Sequence, residues 1–293
     1  MAYDLKEEYY DINFKERKEC PWCKWEGHST QYGLEGGGYA RKCTRCGCVY
    51  SSVTVAKESE AQYWEKWESK VHNADQDLKE KRKVMYHLDF DVIKPFLADG
   101  MKVLDVGCAD GSFLNIFSSA GYSCAGVEFA KEAYDLASSE YEIYYGEFPD
   151  LNIPSLYDVI IFRGVIQLLE RPKAYFDKAI SLLNDNGLIY ITASPNADCL
   201  VHELYKQTWR LSVTASAHTL YNEKILTDYF SEHGLELILS KQMYLNTPYE
   251  NKEEDIKKVA EAINSRARGE EPKGEAPAFY DNLLTLLYRK RRD

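Results

Sequence analysis

Two pairs of cysteines near the N-terminus have the spacing of metal ligands. Two residues separate the members of each pair, and nineteen residues lie between the pairs. A Cys-x-x-Cys turn is tight enough to direct two sulfurs at one ion, and an intervening hairpin brings the second turn to the same place. The spacing predicts a small zinc ribbon in which Zn²⁺ has a structural role, because four sulfurs leave no open coordination position. The predicted ligands are Cys20, Cys23, Cys43 and Cys46. Cys48 and His28 are alternative ligands that could replace one of them.

A second chemical signal is the stretch LDVGCADGSF at 104–113. It does not fit a dinucleotide-binding loop, because Ala109 and Ser112 occupy two of the three required glycine positions. It does not fit a P-loop either, since no lysine follows Gly111. Small residues here let the backbone approach a ligand closely, and we expect Ala109 to keep a negative φ. A plain strand-to-helix turn is the alternative.

The spacing Asp105-x-Gly107-x-Ala109-x-Gly111 resembles the D/E-x-G-x-G-x-G loop of class I S-adenosylmethionine-dependent methyltransferases, with alanine at the middle glycine. Further stretches are similar to later motifs of that family, in the same order: Glu128 at the end of a second strand, GEF at 146–148, YDVIIFRGVIQLLERP at 157–172 and GLIYITASPN at 187–196. The resemblance implies S-adenosylmethionine as cofactor and S-adenosylhomocysteine as product. In this interpretation Asp105 accepts a hydrogen bond from the cofactor's ammonium group, directly or through water, and Glu128 binds both ribose hydroxyls. The implied cofactor contacts are Asp105, Gly107, Ala109, Gly111, Glu128, Phe129, Glu147, Phe148 and Arg163.

The methyl acceptor is suggested only by analogy. A two-knuckle ribbon ahead of such a domain resembles bacterial methyltransferases associated with sugar and surface-polysaccharide synthesis. The resemblance implies O- or C-methylation of a small carbohydrate, either a nucleotide-linked sugar or a polysaccharide precursor. Two alternatives remain open: an RNA base methyltransferase that binds RNA through the ribbon, and a scaffold that binds the cofactor without catalysis.

The catalytic base is not at the position where many relatives have it. In those relatives a Glu-His pair follows the fourth strand, whereas this chain has Gln167-Leu168. Either the base lies elsewhere or the reaction needs none. The candidate base is His218, because imidazole can accept a proton near neutral pH. The alternative is that His218 caps or orients the helix that begins near Asn222. The residues expected to face the substrate are Arg163, Asn196 and Tyr221.

Composition limits the classes of partner. The 293 residues carry a net charge of −11, and this excess of acid disfavours binding to a nucleic-acid backbone. The basic run RKRR at 289–292 is interpreted as a solvated chain end. No apolar run is long enough for a membrane helix, and the N-terminus lacks a secretory apolar segment, so we expect a cytoplasmic protein. The sequence does not predict the oligomeric state.

These residues must be positioned by alternating strands and helices. Strand-like runs at 102–106, 123–129, 142–148, 157–163 and 187–194 are separated by helix-like segments, and two further strands are predicted at 235–240 and 282–290. The pattern predicts an α/β fold: a Rossmann-like, seven-stranded, mostly parallel sheet with an antiparallel last strand and helices on both faces. We divide the chain into a zinc ribbon (1–56), a helical connector (57–98) and a methyltransferase-like domain (99–293). In the connector, the predicted apolar face contains Tyr63, Trp67, Val71, Val84, Leu88 and Val92.

Overall fold

A computed structural model describes residues 12–34, 38–59, 62–63, 76–214 and 217–291. Trp67 and Val71 of the predicted connector, the first eleven residues of the predicted ribbon and Arg292 lie outside these ranges. Within them, no helix combines the length and the apolar character that crossing a bilayer requires.

The N-terminal part of the chain forms short antiparallel strands around the cysteine turns. The strands are β1 (Phe14–Glu16), β2 (His28–Gly33), β3 (Tyr39–Cys43), β4 (Val49–Ser51) and β5 (Val53–Val55). Strand β3 pairs with β2 and β4, and β1 pairs with β5. The run CVYSSVTV at 48–55 has β-branched residues that predict a strand. It is divided at Ser52, where the Ser51 hydroxyl donates a hydrogen bond to the Val53 carbonyl at 2.7 Å and the chain bends.

A seven-stranded sheet forms the centre of the molecule. Its order is β12-β13-β10-β9-β6-β7-β8, and β13 is antiparallel to both of its neighbours whereas the other described pairs are parallel. This topology confirms the predicted Rossmann-like sheet with an antiparallel last strand. The strands are β6 (Lys102–Val106), β7 (Ser123–Glu128), β8 (Glu142–Tyr145), β9 (Tyr157–Arg163), β10 (Leu183–Pro195), β12 (Leu235–Ser240) and β13 (Leu283–Lys290), and a two-residue strand, β11 (Thr219–Leu220), lies outside this sheet. Arg289 and Lys290 belong to β13, so the predicted solvated end begins later than the basic run does.

Helices cover both faces of the sheet. They are α1 (Gln76–Ile93), α2 (Ser112–Ser119), α3 (Lys131–Ala137), α4 (Pro172–Ser181), α5 (Leu200–Tyr205), α6 (Glu223–Glu232) and α7 (Lys252–Ala267). Alternate residues of β9 show the two-sided burial: Val159 and Ile161 pack in the cluster that contains Phe90 of α1, whereas Ile160 and Phe162 pack in the cluster that contains Phe176 of α4. The prediction for α1 was wrong in one detail, since Val84 is 45% exposed and the neighbouring Met85 is buried instead.

The N-terminal ribbon shares both a sheet and a core with the rest of the chain. Strand β11 pairs antiparallel with β4, so the ribbon sheet has the order β11-β4-β3-β2. Trp22, between the first two cysteines, packs edge-on against Phe176, Tyr221 and Tyr229, with ring centroids 5.2–6.1 Å away. The segment 1–56 therefore completes its sheet with residues from beyond the predicted domain boundary.

Candidate active site

A cavity of about 670 Å³ opens at the carboxyl ends of the central strands. In open parallel sheets this is the edge where ligands bind, because successive strands deliver their following loops to the same place. Four strand ends supply its inner wall: Gly107 and Ala109 after β6, Glu128 and Phe129 at β7, Gly146, Glu147 and Phe148 after β8, and Arg163 and Gly164 at β9. Of the nine predicted cofactor contacts, only Asp105 and Gly111 do not line it.

The loop after β6 is held in a left-handed conformation at three positions. Gly107 has φ 78°, and a Cβ there would lie 2.7 Å from a methyl carbon of Val165. Ala109 has φ 48°, so the expectation of a negative φ was wrong. The Ala109 N–H donates a 3.0 Å hydrogen bond to Oε2 of Glu128. This bond holds the alanine in a left-handed conformation that favours glycine, the residue of the D/E-x-G-x-G-x-G motif at this position. Gly111, at φ 80°, begins helix α2.

Glu128 is a buried carboxylate surrounded by backbone donors. Its Oε1 accepts hydrogen bonds from the N–H groups of Phe129 and Ala130, at 2.7 and 2.8 Å. Burial raises the pKa of Glu128, and the three backbone hydrogen bonds oppose that rise because they favour the charged form. The carboxylate is thus fixed in orientation at the cavity wall. Oε1 already accepts two bonds, whereas Oε2 accepts one and retains a lone pair for a ligand hydroxyl.

Asp105 is a buried acid with an unpaired carboxylate oxygen. It is 2% exposed, and its Oδ1 has no hydrogen-bond partner among the residues that the structure describes. Burial raises the pKa of Asp105 to about 7, although the positive charge of Arg163 lowers it. An unpartnered buried carboxylate oxygen costs free energy unless a donor reaches it, so this position fits a cationic ligand group.

The turn after β8 presents one buried ring and one ion pair. Phe148 is 1% exposed and packs against Tyr175 with a centroid separation of 5.9 Å. Glu147 is paired with Arg171 at 2.6 Å, and Arg171 also contacts Asp150 at 2.6 Å. The hydrogen bonds to Asp150 and Glu147 raise the pKa of Arg171, so the guanidinium keeps its charge.

A family model described as a methyltransferase domain matches residues 78–240, which is more than half of the chain. The chain belongs to this methyltransferase family. No curated protein sequence matches it.

Solved structures share the fold of the methyltransferase at low sequence identity. The YcgJ protein of Bacillus subtilis is 17% identical, with a TM-score of 0.51 over 71% of this chain and 100% of that one. A SAM-dependent methyltransferase of Thermotoga maritima is 14% identical, with a TM-score of 0.55 over 78% and 100% of the two chains. Magnesium protoporphyrin IX methyltransferase of Synechocystis with bound SAH is 12% identical, with a TM-score of 0.53 over 79% and 96%.

Arg163 of the methyltransferase is held from the connector helix. Its Nε donates a 2.8 Å hydrogen bond to Oδ2 of Asp89 in α1, and its guanidinium carbon lies 4.2 Å from the ring centroid of Tyr86. Asp89 is 1% exposed and also accepts a 2.8 Å bond from the Thr192 hydroxyl. Asp89 could not be identified from the sequence, because an acid inside a charged helix carries no signal that it is buried.

His218 lies on the cavity, and so does Leu168, the residue at the position of the relatives' histidine. The His218 side chain is buried, and its Nδ1 is 3.2 Å from the hydroxyl of Thr54 in β5. The alternative role at the start of α6 is filled by another residue, since the Asn222 side chain accepts the capping hydrogen bond from Ile225 at 2.9 Å.

The other two residues expected to face the substrate are not on this cavity. Tyr221 is fully buried against Trp22, so a substrate cannot contact it in this conformation. Asn196 lines a separate cavity and is held by hydrogen bonds to the Asp281 carbonyl and from the Asp198 N–H, at 3.0 and 3.1 Å. Both follow strands of the methyltransferase fold, but β11 draws this part of the chain toward the ribbon.

The predicted metal ligands of the methyltransferase converge. The sulfurs of Cys20, Cys23, Cys43 and Cys46 all lie within 4.8 Å of one another. The alternative ligands differ: Cys48 Sγ lies 3.2 Å from Cys20 Sγ, whereas His28 is exposed and its ring nitrogen contacts the Glu26 carbonyl at 2.8 Å. Hydrogen bonds from the thiols of Cys46 and Cys48 lower the pKa of Cys20, whereas the hydrogen bond to Cys20 raises the pKa of Cys46 and burial raises that of Cys23. The cluster therefore favours one thiolate, at Cys20.

Proposed function

We propose that the chain binds S-adenosylmethionine in this cavity and transfers its methyl group to a small-molecule acceptor. The observation that carries the proposal is the pair of buried carboxylates at adjacent strand ends, one with an unpartnered oxygen (Asp105) and one fixed by three backbone donors (Glu128). When bound, the cofactor supplies an electrophilic methyl group on a sulfonium.

The residues at the cavity fit the parts of this cofactor. Asp105, which lies behind the cavity wall, accepts from an ammonium group directly or through water, and Oε2 of Glu128 accepts from a ribose hydroxyl. The backbone at Gly107 and Ala109 lines the cavity and admits the cofactor chain, because neither residue has a side chain beyond Cβ. Phe129 and Phe148 flank the adenine of the cofactor, and Glu147 lies at the edge of that adenine. Positioning of the two reactants in a dry cleft is the main contribution of the protein to the rate.

Calorimetry with S-adenosylhomocysteine tests the cofactor assignment. Glu128→Ala is expected to weaken binding by roughly tenfold or more, since a hydrogen bond to a charged group contributes about 1.5–3 kcal/mol. Glu132→Ala, which removes an exposed acid from the next helix, is the control and should bind like the wild type. Absence of binding to the wild-type protein would refute the assignment.

His218 is proposed as the general base that takes a proton from the acceptor. Its position on the same cavity as Glu128 and Arg163 supports this role, and a neutral imidazole can perform it near pH 7. His218→Gln is expected to suppress methyl transfer while S-adenosylhomocysteine binding is retained; unchanged transfer would remove His218 as the base.

The acceptor is proposed to be a carbohydrate that carries an anionic group, such as a nucleotide-linked sugar. Although the chain has a net charge of −11, the described residues that line the cavity include seven cationic side chains and four acidic ones. Three of the cations, Lys57, Lys79 and Arg82, have no ion-pair partner in the described part of the chain. Cationic side chains around the cavity of an acidic protein favour binding of an anionic acceptor.

Labelled S-adenosylmethionine tests this class directly. We expect transfer to nucleotide-linked or phosphorylated sugars, and a higher KM after Lys79→Ala or Arg82→Ala. Lys241→Ala, on the separate cavity that Asn196 lines, is the control. Methylation of neutral saccharides alone would overturn the proposal. RNA is less well supported, because two of the three basic residues near the second knuckle are engaged: Arg41 with Glu16 and the Arg17 carbonyl, and Lys42 with Asp198, whereas Arg45 is exposed.

The cysteine cluster is proposed to hold one structural Zn²⁺. Four thiols with sulfurs this close match the donor set and geometry that zinc prefers. Metal analysis of the purified protein should give about one zinc per chain, the stoichiometry of one such site. Cys43→Ser should lose the metal, whereas Cys124→Ser, which lies outside the cluster, should keep it. A folded protein without metal would contradict the proposal.

A further inference from the structure

A chain of hydrogen bonds connects His218 to the N-terminal ribbon. Nδ1 of His218 lies 3.2 Å from the Thr54 hydroxyl oxygen, and that hydroxyl donates to Oε2 of Glu170 at 3.2 Å. Glu170 is in turn paired with Arg17, and Lys15 Nζ lies 3.4 Å from its Oε1. Thr54 is 1% exposed and His218 is 5% exposed, so water has little access to this chain.

The direction of these bonds follows from the groups involved. A carboxylate paired with two cations is ionised and can only accept hydrogen bonds. Thr54 has a single hydroxyl hydrogen, and that hydrogen is donated to Glu170. The Thr54 oxygen must therefore act as acceptor toward His218, which places the imidazole proton on Nδ1 and the lone pair on Nε2.

The backbone of His218 is fixed by the same ribbon. Its carbonyl accepts a 2.9 Å hydrogen bond from the Ser51 N–H, next to the pairing of β11 with β4. The ribbon therefore holds His218 both through its backbone and through its ring nitrogen.

We propose that Thr54 and Glu170 are positioning residues that fix the Nδ1–H tautomer of His218, so that Nε2 is the basic atom at the active site. The inference rests on the proposed function for the role of Nε2, but the tautomer itself is independent of that function. In the step it serves, the acceptor O–H bond breaks and its proton forms an N–H bond at Nε2. The electron pair left on oxygen forms the O–CH₃ bond while the S–CH₃ bond breaks, and that bond's electron pair stays on sulfur. Glu170 stabilises the resulting imidazolium through Thr54.

Nitrogen NMR of protein labelled with ¹⁵N-histidine tests the tautomer without an acceptor. The chain has six histidines, and the signals that disappear in His218→Gln assign the one of interest. At neutral pH the wild type should show a protonated Nδ1 and an unprotonated Nε2 at His218. Thr54→Val removes the hydroxyl at nearly constant volume and should shift His218 toward the Nε2–H form, whereas Thr54→Ser should preserve the wild-type pattern. An Nε2–H tautomer in the wild type, or no change in Thr54→Val, would overturn the proposal.

A second variant keeps the proposal testable if Thr54→Val does not fold. Glu170→Ala, at a half-buried position, releases the Thr54 hydrogen and should give a mixture of tautomers, so an unchanged Nδ1–H form also counts against the proposal. Thr285→Val, another buried strand threonine, is the control that should leave His218 unchanged.

Kinetics separate this inference from the proposed function. Thr54→Val should lower kcat by about tenfold or more with little change in KM or in S-adenosylhomocysteine affinity, because general-base catalysis contributes roughly 10²–10⁴-fold. Thr54→Ser should restore kcat. If the NMR result holds but His218→Gln leaves methyl transfer intact, the base assignment fails while the positioning of the tautomer stands.

Discussion

The backbone at Ala109 is strained, and a single substitution should relieve the strain. An L-residue with left-handed φ loses about 1–2 kcal/mol relative to its preferred conformation, whereas glycine does not. Ala109→Gly is therefore expected to raise the free energy of unfolding by about 0.5–1 kcal/mol, after the larger entropy of an unfolded glycine is subtracted.

Urea denaturation measures this effect. Ala130→Gly is the matched control: Ala130 has φ −75° and donates to the same Glu128 carboxylate, so its replacement should destabilise the protein. Equal destabilisation by both substitutions would show that Ala109 is not strained.

Asp105 should make the stability of the cofactor-free protein depend on pH. Burial raises its folded-state pKa to about 7, from about 3.9 in an unfolded chain, so the folded protein binds the extra proton in this window. The contribution of Asp105 to stability is thus fully present below about pH 4 and is lost as pH rises through about 7.

Asp105→Asn removes the titration. We expect the melting temperature of this variant to rise relative to the wild type as pH increases from about 4 to about 7, and the difference to stay constant above that. Thermal unfolding across this range provides the measurement. A difference that does not vary with pH would contradict the burial of an ionisable Asp105.

At the scale of elements, one buried acid links α1 to the sheet in addition to the apolar contacts of the helix. Asp89 accepts from Arg163 in β9 and from Thr192 in β10. Asp89→Ala would leave both donors without their acceptor, and removing one partner of a buried ion pair costs about 3–5 kcal/mol. Asp91→Ala, on the exposed face of the same helix, should cost far less. Denaturation of the two variants tests this, and similar losses would mean that α1 is held by its apolar contacts alone.

Much of the fold was predictable from sequence, and the reason differs among elements. Strands β6, β9 and β12 have their predicted bounds, because continuous apolar runs between turn residues leave little choice of register. Strand β11 has only two residues, and its pairing with β4 depends on segments far apart in the chain. The spacing of apolar residues within a segment carries no information about a contact between segments so far apart.

The same distinction applies to the candidate site. Asp105, Glu128 and Gly107 stand at strand ends with motif spacing, and local sequence identified them. Thr54, Asp89 and Glu170 act through contacts across the fold, and their sequence neighbourhoods carry no signal. The left-handed φ of Ala109 was missed because it depends on a hydrogen bond to Glu128, nineteen residues further along.

At the scale of the whole molecule, the ribbon and the catalytic fold should unfold together. Cys20, Trp22 and Tyr50 belong to the same buried cluster as Phe176, Tyr221 and Phe230. We expect a single thermal transition in circular dichroism. Chelation of the proposed zinc should lower the midpoint of that transition and should abolish S-adenosylhomocysteine binding at a temperature where the untreated protein binds it. Two separate transitions, or intact binding after chelation, would show that the ribbon is energetically independent.

The pairing of β11 with β4 also constrains the order of events on the ribosome. The paired residues are about 170 positions apart in the chain. At about 5–20 residues per second, roughly 10–30 s separate the synthesis of the two strands. During this interval all four cysteines of the proposed zinc site have been synthesised, but the outer edge of β4 and the face of Trp22 have no partner. An open strand edge beside an apolar surface is prone to association with other chains, so this interval is when the nascent protein depends most on chaperones.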